Sequence, residues 1–501
     1  MGVKFCCMVA LNSKTPILPI LLLLFSGVGL CGYAATYQVG PSRTYHTVGS
    51  LPSLNPGDIV EIDPGTYNEV KRWRNSGNPT NPIVVRGIGA TRPLFDATGL
   101  TVDGVLPNPR AVFQVEAHYV VLENLEFKNA TNGNNGAGIR VTGANNVTVR
   151  NCKITKCDMG VMSDNNTNFI FETSEVASNG TSLYDGFSHN FYLGGDSVTV
   201  RGCYIHDSLY GQNMKSRAHF TALLYNYIAD SQDGEVVLVD ETVTGTPNSH
   251  AVMIGNIVIS KPRLAGYNSA RFVQFGQDSG GQHNGTLFAF NNTFVAGDGR
   301  IQFLTTNAIG AAVVARNNIF YGGDKIVGTP GAGITGSNNW MQSSAIIPAT
   351  FFANVQANEP GFVNRTSRNF HLTAASICRN RGLGSLTCMD GVGASQSGLP
   401  TLEYLNHQQT RSRLSDGQID IGAFEYRLPS LSGIQVSNNA CAVSFTTEEG
   451  NQYDLLRASN LLNSSWSPVL SNIPGTGGIV QVTDTNVGGQ TRLFYRLRTP
   501  L

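Results

Sequence analysis

One short phrase of alternating apolar and polar residues recurs through this chain, and it limits the fold more than any other feature. It reads VTVRNCKI at 147–154, FIFETSEV at 169–176, VTVRGCYI at 198–205, ALLYNYI at 222–228, AVMIGNIV at 251–258, LFAFNNTF at 287–294 and AVVARNNIF at 312–320. Aligning the last apolar residue of each phrase gives Phe127, Ile154, Val176, Ile205, Ile228, Val258, Phe294 and Phe320, in steps of 22 to 36 residues. Alternation means a strand with one buried face, and the small residue or Asn inside each phrase marks a tight bend. Self-similarity at this period is the mark of stacked supersecondary units. No segment sustains a 3.6-residue pattern over several turns, so helical repeats are excluded. The expected fold is all-β, a parallel β-helix.

Composition narrows the setting. Lys plus Arg and Asp plus Glu both total 34 in 501 residues, which gives no electrostatic argument for nucleic acid or a general membrane surface. Residues 1–35 read as a secretory signal peptide: Lys4 and Lys14 precede the apolar run Ile17–Val28, and small residues end at Ala34 and Ala35. That run is too short to span a bilayer. Cys31 follows Leu30, where lipidation wants a small residue, so lipidation is disfavoured. The expectation is a secreted, cell-surface or periplasmic protein acting as a monomer, with no membrane span. Six cysteines follow the leader. Cys152 and Cys203 share a column two rungs apart, roughly 9–10 Å, too far for a disulfide, and read as buried fillers. Cys378 and Cys388, in a Gly-rich stretch, are the disulfide candidates.

Three segments are expected: the leader at 1–35, a β-helix at 36–428 and an accessory β-sandwich at 431–501. RTYHTVGSLPSL at 43–54 is a candidate capping helix over the first rung. Rungs run to about Trp340, and 341–428 reads as the closing end of the helix. After Leu428, five or six short alternating segments from GIQVS to RLFYRLR suit a small antiparallel sandwich, with Trp466 and Tyr495 as core aromatics.

The phrases GDIVEIDPGTYNE, NNTFV, NNIFYG and DIGAFEY make residues 37–428 resemble the right-handed β-helix proteins of the pectate-lyase-like superfamily. The last 70 residues resemble a sandwich module of secreted bacterial proteins. The resemblance implies carbohydrate chemistry, mostly lyases, hydrolases or epimerases acting on acidic polysaccharides, with some adhesins. It does not fix the reaction, because one fold hosts many.

Counting back along each rung aligns GVMS (160–163), HNFYLGG (189–195) and QNMKSRA (212–218), putting Met162, Phe191 and Met214 in one inward column. Asn190, Tyr192, Asn213, Lys215 and Arg217 then point outward, with Leu238 beside Lys215 and Asp240 beside Arg217. Asp240 and Glu241 border this patch, and His189, His206 and His219 flank it. A β-eliminating lyase needs a group to neutralise the C6 carboxylate, a base for the C5 proton and an acid for the leaving oxygen. Arg217, or a bound cation, suits the first role, Lys215 the second and Tyr192 the third. Asn190, Asn213, His189, Asp240 and Glu241 are candidate substrate-binding residues. The resemblance also implies calcium, which β-helix lyases often use; no Cys/His spacing points to another metal.

A plain surface ion-pair ladder, worth under ~1 kcal/mol per pair, is the competing account of Lys215, Arg217 and Asp240. His189 suits a loop hydrogen-bonding role better than catalysis, and His206 and His219 suit structural ones. Arg140 and Arg271 could extend a basic strip, although isolated arginines are usually just solvated. Asn151, Asn226, Asn256, Asn292 and Asn318 read as corner hydrogen-bonders. The clustered aspartates of a polygalacturonase are missing, and Glu235 and Asp240 fall at odd spacing on one strand, which weakens a hydrolase. The leading expectation is an exported lyase acting on a uronate-containing glycan. The alternative is a non-catalytic glycan-binding or surface-attached protein, and a glycoside hydrolase ranks third.

Overall fold

The computed structural model describes residues 34–241, 247–263, 271–278, 281–437, 439–461 and 465–499. The leader assigned to 1–35 lies outside them except for Ala34 and Ala35. Among the described residues there is no α-helix, and no helix long and apolar enough to cross a membrane. The segment expected to cap the first rung holds one 3-10 turn, Val48–Ser50, whose Thr47 side chain accepts from Ser50 N–H.

The chain winds as a right-handed parallel β-helix with three faces per turn. The first face includes Ala137–Thr142, Met159–Asp164, Val236–Val239 and Arg271–Asp278. Val147–Arg150, Phe169–Glu172 and Ala251–Ile254 lie on the second. Two eleven-residue strands, Phe191–Arg201 and Met214–Leu224, run round the corner and join these faces into one sheet. The third face, from Thr66–Tyr67 to Val355–Ala357, is a separate parallel sheet.

The third face carries the sequence register. Phe127, Ile154, Val176, Ile205, Ile228, Val258, Phe294 and Phe320 pair in that order, strand to strand. All are buried, and the Phe294 and Phe320 rings stack at 5.2 Å. Rungs continue past Trp340, which pairs with Val355.

The bends before this face explain the recurring Asn. Asn124, Asn151, Asn291, Asn317 and Asn338 all have φ between 51° and 57°, the left-handed region that Asn tolerates better than other non-glycine residues. The next residue forms a buried amide ladder. Asn226 Nδ2 donates to Asn256 Oδ1 at 3.0 Å, Asn256 to Asn292 at 2.9 Å, Asn292 to Asn318 at 3.0 Å and Asn318 to Asn339 at 3.0 Å. Each amide also donates to a strand carbonyl, so polar groups inside the solenoid are satisfied rung by rung. Cys152, Ser174 and Cys203 fill the same column in earlier rungs, fully buried and without a disulfide.

Four expectations are corrected. Residues 360–428 do not simply close the end; their hairpins fold back along the outside of the solenoid. Phe370, Leu372, Tyr404 and Phe424 cover the outward side of the third face at Tyr227, Ile257, Ile259 and Ile319, while Leu386 and Cys388 cover Ala222, Val252 and Ile254. Cys378 and Cys388 therefore sit in different apolar clusters, and both are free thiols. The register slips described below are the third correction. The fourth concerns the sandwich, whose six strands form two three-stranded antiparallel sheets over 431–498. Its fully buried aromatics are Phe445 and Tyr453, whereas Trp466 lies under the Arg496 guanidinium at 4.4 Å and Tyr495 is half-buried with its hydroxyl donating to Asp484.

Candidate functional site

The first face presents one outward column along the solenoid. Strand pairing runs Gln114, Arg140, Met162, Tyr192, Lys215, Val237, Gln274 and Thr305, one residue per rung. Two residues further along each strand lie Gly194 and Arg217. Adjacent rungs are ~4.8 Å apart, so the column forms a continuous track along the solenoid.

Relative to the sequence alignment, two one-residue slips appear. Phe191 pairs with Val161, so Met162 is not inward but stands beside Tyr192 on the outside. Lys215 pairs with Val237, and Leu238 with Ser216, so Asp240 is not the neighbour of Arg217. The first slip has a physical cause. Met162 and Phe169 are seven residues apart, while their partners Tyr192 and Val198 are six apart. The shorter corner passes through Gly195 at φ +108°, where a Cβ would meet the Asn166 carbonyl oxygen at 2.5 Å.

Lys215 and Arg217 converge on one carboxylate oxygen. Lys215 Nζ donates to Asp278 Oδ2 at 2.8 Å and Arg217 Nη2 donates to the same atom at 2.6 Å. Arg217 Nε donates to the Tyr192 hydroxyl at 2.8 Å, and the guanidinium lies 5.9 Å from the Tyr192 ring centre. Lys215, only 9% exposed, lines a pocket of about 260 Å³ with Gln212, Asp233, Arg271, Gln274 and Asp278. Burial pushes the Lys215 pKa down and Arg217 adds to this, while the Asp278 ion pair opposes them; the net direction is down.

Glu241 reaches this surface from the next rung: a Cβ on Gly194 would fall 2.5 Å from its Oε1. Burial and the nearby Asp164 and Asp240 carboxylates push its pKa up, against Arg217. Asp164 is half-buried, its pKa also raised by burial, and among the described residues its Oδ1 has no hydrogen-bond partner.

The other four candidates are buried behind the track. Asn190 and Asn213 are 0% exposed and form a second amide ladder: Asn179 to Asn190 at 2.9 Å, Asn190 to Asn213 at 2.8 Å, and Asn213 to Glu235 at 2.7 Å. Both precede the outward strand, where the chain still turns inward at the corner. Burial holds Glu235 as a weak acid, with a pKa up at about 8. His189 is buried under Tyr192, its ring parallel at 5.5 Å, and Nδ1 accepts from Gln212 N–H. Burial, helped by Lys215 and Arg217, lowers its pKa to about 3, so it is neutral support for Tyr192. Asp240 is also buried and accepts from Ser249 Oγ at 2.6 Å, with His219 Nδ1 at 3.0 Å. His206 Nδ1 bonds Asp207 Oδ2 at 2.6 Å on another face, a structural role.

Asp278 and Gln274 escaped the sequence reading. Gln274 was within reach: extending the alternation of VVLV to FVQF puts it in the Lys215 column. Asp278 was not, because it lies 63 residues from Lys215 beyond a stretch with no ladder phrase. The residues present do not fit a calcium cage, which takes six to eight oxygens. Among the described residues no group of three or more His, Cys, Asp or Glu is placed to hold a metal. Asp278 Oδ2 already serves both cations.

Residues 95–245 match the family model described as "Right handed beta helix region". Among solved structures, the chain is similar to pectate lyase Pel9A, at 16% identity and TM-score 0.50, over 78% of this chain and 96% of that one. It is also similar to an alginate lyase from Paenibacillus sp. str. FPU-7, at 17% identity and TM-score 0.44, over 62% and 99%. A third is the GH136 lacto-N-biosidase from Eubacterium ramulus, at 12% identity and TM-score 0.40, over 64% and 68%. No curated protein is a match. At these identities the likeness is one of fold, and the fold is shared by carbohydrate-active proteins of different reaction types.

Proposed function

We propose that this chain is an exported lyase that cleaves a uronate-containing polysaccharide by β-elimination on the Tyr192–Lys215–Arg217 track. One observation carries the reading: an amine with a lowered pKa, a guanidinium and a phenol lie within hydrogen-bond reach of one another or of a shared carboxylate, beside an open pocket. Lys215 Nζ, in its deprotonated form, takes the C5 proton. The electrons of the C5–H bond form the C4–C5 double bond as the C4–O4 bond breaks, and the departing O4 takes the Tyr192 hydroxyl proton. Arg217 faces the C6 carboxylate and stabilises the negative charge that builds there. Solvent then restores both proton states. The likeness of fold to pectate lyase Pel9A is in keeping with a polyuronate.

A non-catalytic glycan binder is the second reading. It is favoured by the double engagement of Asp278, which holds both cations in a closed ion-pair set. Incubation with a panel of polyuronates, following ultraviolet absorbance of the new C4–C5 double bond, separates the two. The lyase reading expects absorbance on at least one substrate and its loss in Lys215→Ala. Glycan binding without product on any substrate supports the binder, and an active Lys215→Ala refutes the assignment of the base.

A further inference from the structure

Arg140 stands in the same outward column as Lys215, three rungs away, and its charge is poorly matched by its surroundings. Its side chain is 8% exposed. Among the described residues, the guanidinium hydrogen-bonds to the Asn135 carbonyl at 3.1 Å and the Met162 sulfur at 2.8 Å, both through Nη2. A thioether is a weak acceptor. Among the described residues Nε is buried without a hydrogen-bond partner. The nearest carboxylate acting on it, Asp164, makes no hydrogen bond to it and has its own unpartnered oxygen. A buried cation normally has a carboxylate in contact, since removing it from water costs several kcal/mol.

Direction matters as much as burial. The contact with Met162 shows that Arg140 leans along the track toward Tyr192, so its guanidinium lies at the level of the Met162 rung. That is one rung from Tyr192 and two from Lys215, or ~10 Å along the solenoid. The floor of the column between Arg140 and Lys215 is Met162 and Tyr192, Met162 belonging to an apolar cluster with Ala137 and Met159 against which Tyr192 packs. A 1,4-linked pyranose advances a chain by about one rung, ~5 Å. With one uronate at Lys215, the carboxylate two sugars along comes level with Arg140, and the sugar between them lies over that floor.

We propose that Arg140 is a second carboxylate subsite, which binds the uronate two units from the one at Lys215 and so makes the site read a run of charged sugars. This rests on the reading of the track as a polyuronate site. It differs from a structural role, in which Arg140 only ties the 131–136 loop through Asn135.

The test measures binding by calorimetry, on full-length Lys215→Ala so that the probe is not consumed. The probes are di- and tetragalacturonate and di- and tetramannuronate. A tetramer of the preferred uronate binds about tenfold or more tightly than its dimer, as one charge-assisted pair allows, and the gain shrinks as salt is added. In Lys215→Ala/Arg140→Gln, tetramer and dimer bind equally. A length-dependent gain that survives Arg140→Gln overturns the subsite alone. No binding of any probe by the parent overturns the polyuronate reading and this inference together. Arg140→Lys, which keeps the charge, recovers part of the gain; unfolding of both Arg140 variants with no change in the dimer-to-tetramer ratio of the folded fraction supports the structural role instead.

Discussion

The buried amide ladder allows a stability change to be worked through atom by atom. Asn256 makes four hydrogen bonds through its side chain. Oδ1 accepts from Asn226 N–H at 3.0 Å and from Asn226 Nδ2 at 3.0 Å, while Nδ2 donates to the Leu223 carbonyl at 2.8 Å and to Asn292 Oδ1 at 2.9 Å. In Asn256→Ala the Asn226 backbone N–H loses its partner inside the solenoid, and Asn226 Nδ2 keeps only the Val200 carbonyl, while its Oδ1 still accepts from Cys203 N–H. Asn292 Oδ1 still accepts from the backbone N–H of residue 256. A buried donor left unmade costs about 1–3 kcal/mol, and the small void adds to it. The expected loss is about 3–5 kcal/mol. Asn151→Gly is the matched control: it removes an exposed amide at a bend with φ 51°, a conformation glycine adopts freely, and costs under about 1 kcal/mol. Urea unfolding can be followed by tryptophan fluorescence, since Trp73 and Trp340 are buried in the solenoid. Equal losses in the two variants, or a loss below about 1 kcal/mol in Asn256→Ala, would refute the view that satisfied amides hold the rungs together.

Two further outcomes follow from charge. Asp278→Asn removes the group that opposes the lowering of the Lys215 pKa, so the rising limb of a lyase pH–rate profile moves to lower pH; a shift upward, or none, contradicts Lys215 as base. Glu235 titrates near 8 in the folded chain, above its ordinary carboxyl value of 4.5. A raised folded pKa gives stability that is fully present below about 4.5 and is lost as pH rises through about 8. Stability should therefore fall across that window, and Glu235→Gln should flatten the slope; chemical unfolding at several pH values reads both.

How much of this was legible depended on what kind of periodicity each part obeys. The third-face register from Phe127 to Phe320 was read correctly because every rung repeats the strand and bend that set it. The first face slipped because the corner between it and the second face varies in length, seven residues in one rung and six in the next, and a count back along the chain carries each change with it. Asn190 and Asn213 were put on the surface by carrying the alternation one position back past the strand starts at Phe191 and Met214, though the Asn-rich columns elsewhere already showed that corner amides turn inward. The covering hairpins left a signal that alternation alone passes over. Ile257, Val258 and Ile259 are apolar on both parities, so both sides of that strand had to be buried. Asp278 had no such signal: its meeting with Lys215 depends on the path of a rung that departs from the ladder phrase.

The central claim is that this track breaks a glycosidic bond by elimination. It is tested most directly by letting the protein act on polyuronate in heavy-oxygen water and weighing the products. Elimination gives one unsaturated end per cleavage and no heavy oxygen from the solvent, and Lys215→Ala gives no cleavage. Saturated products carrying solvent oxygen would show hydrolysis, and intact polymer throughout would show that the track binds without cutting; either result contradicts the account.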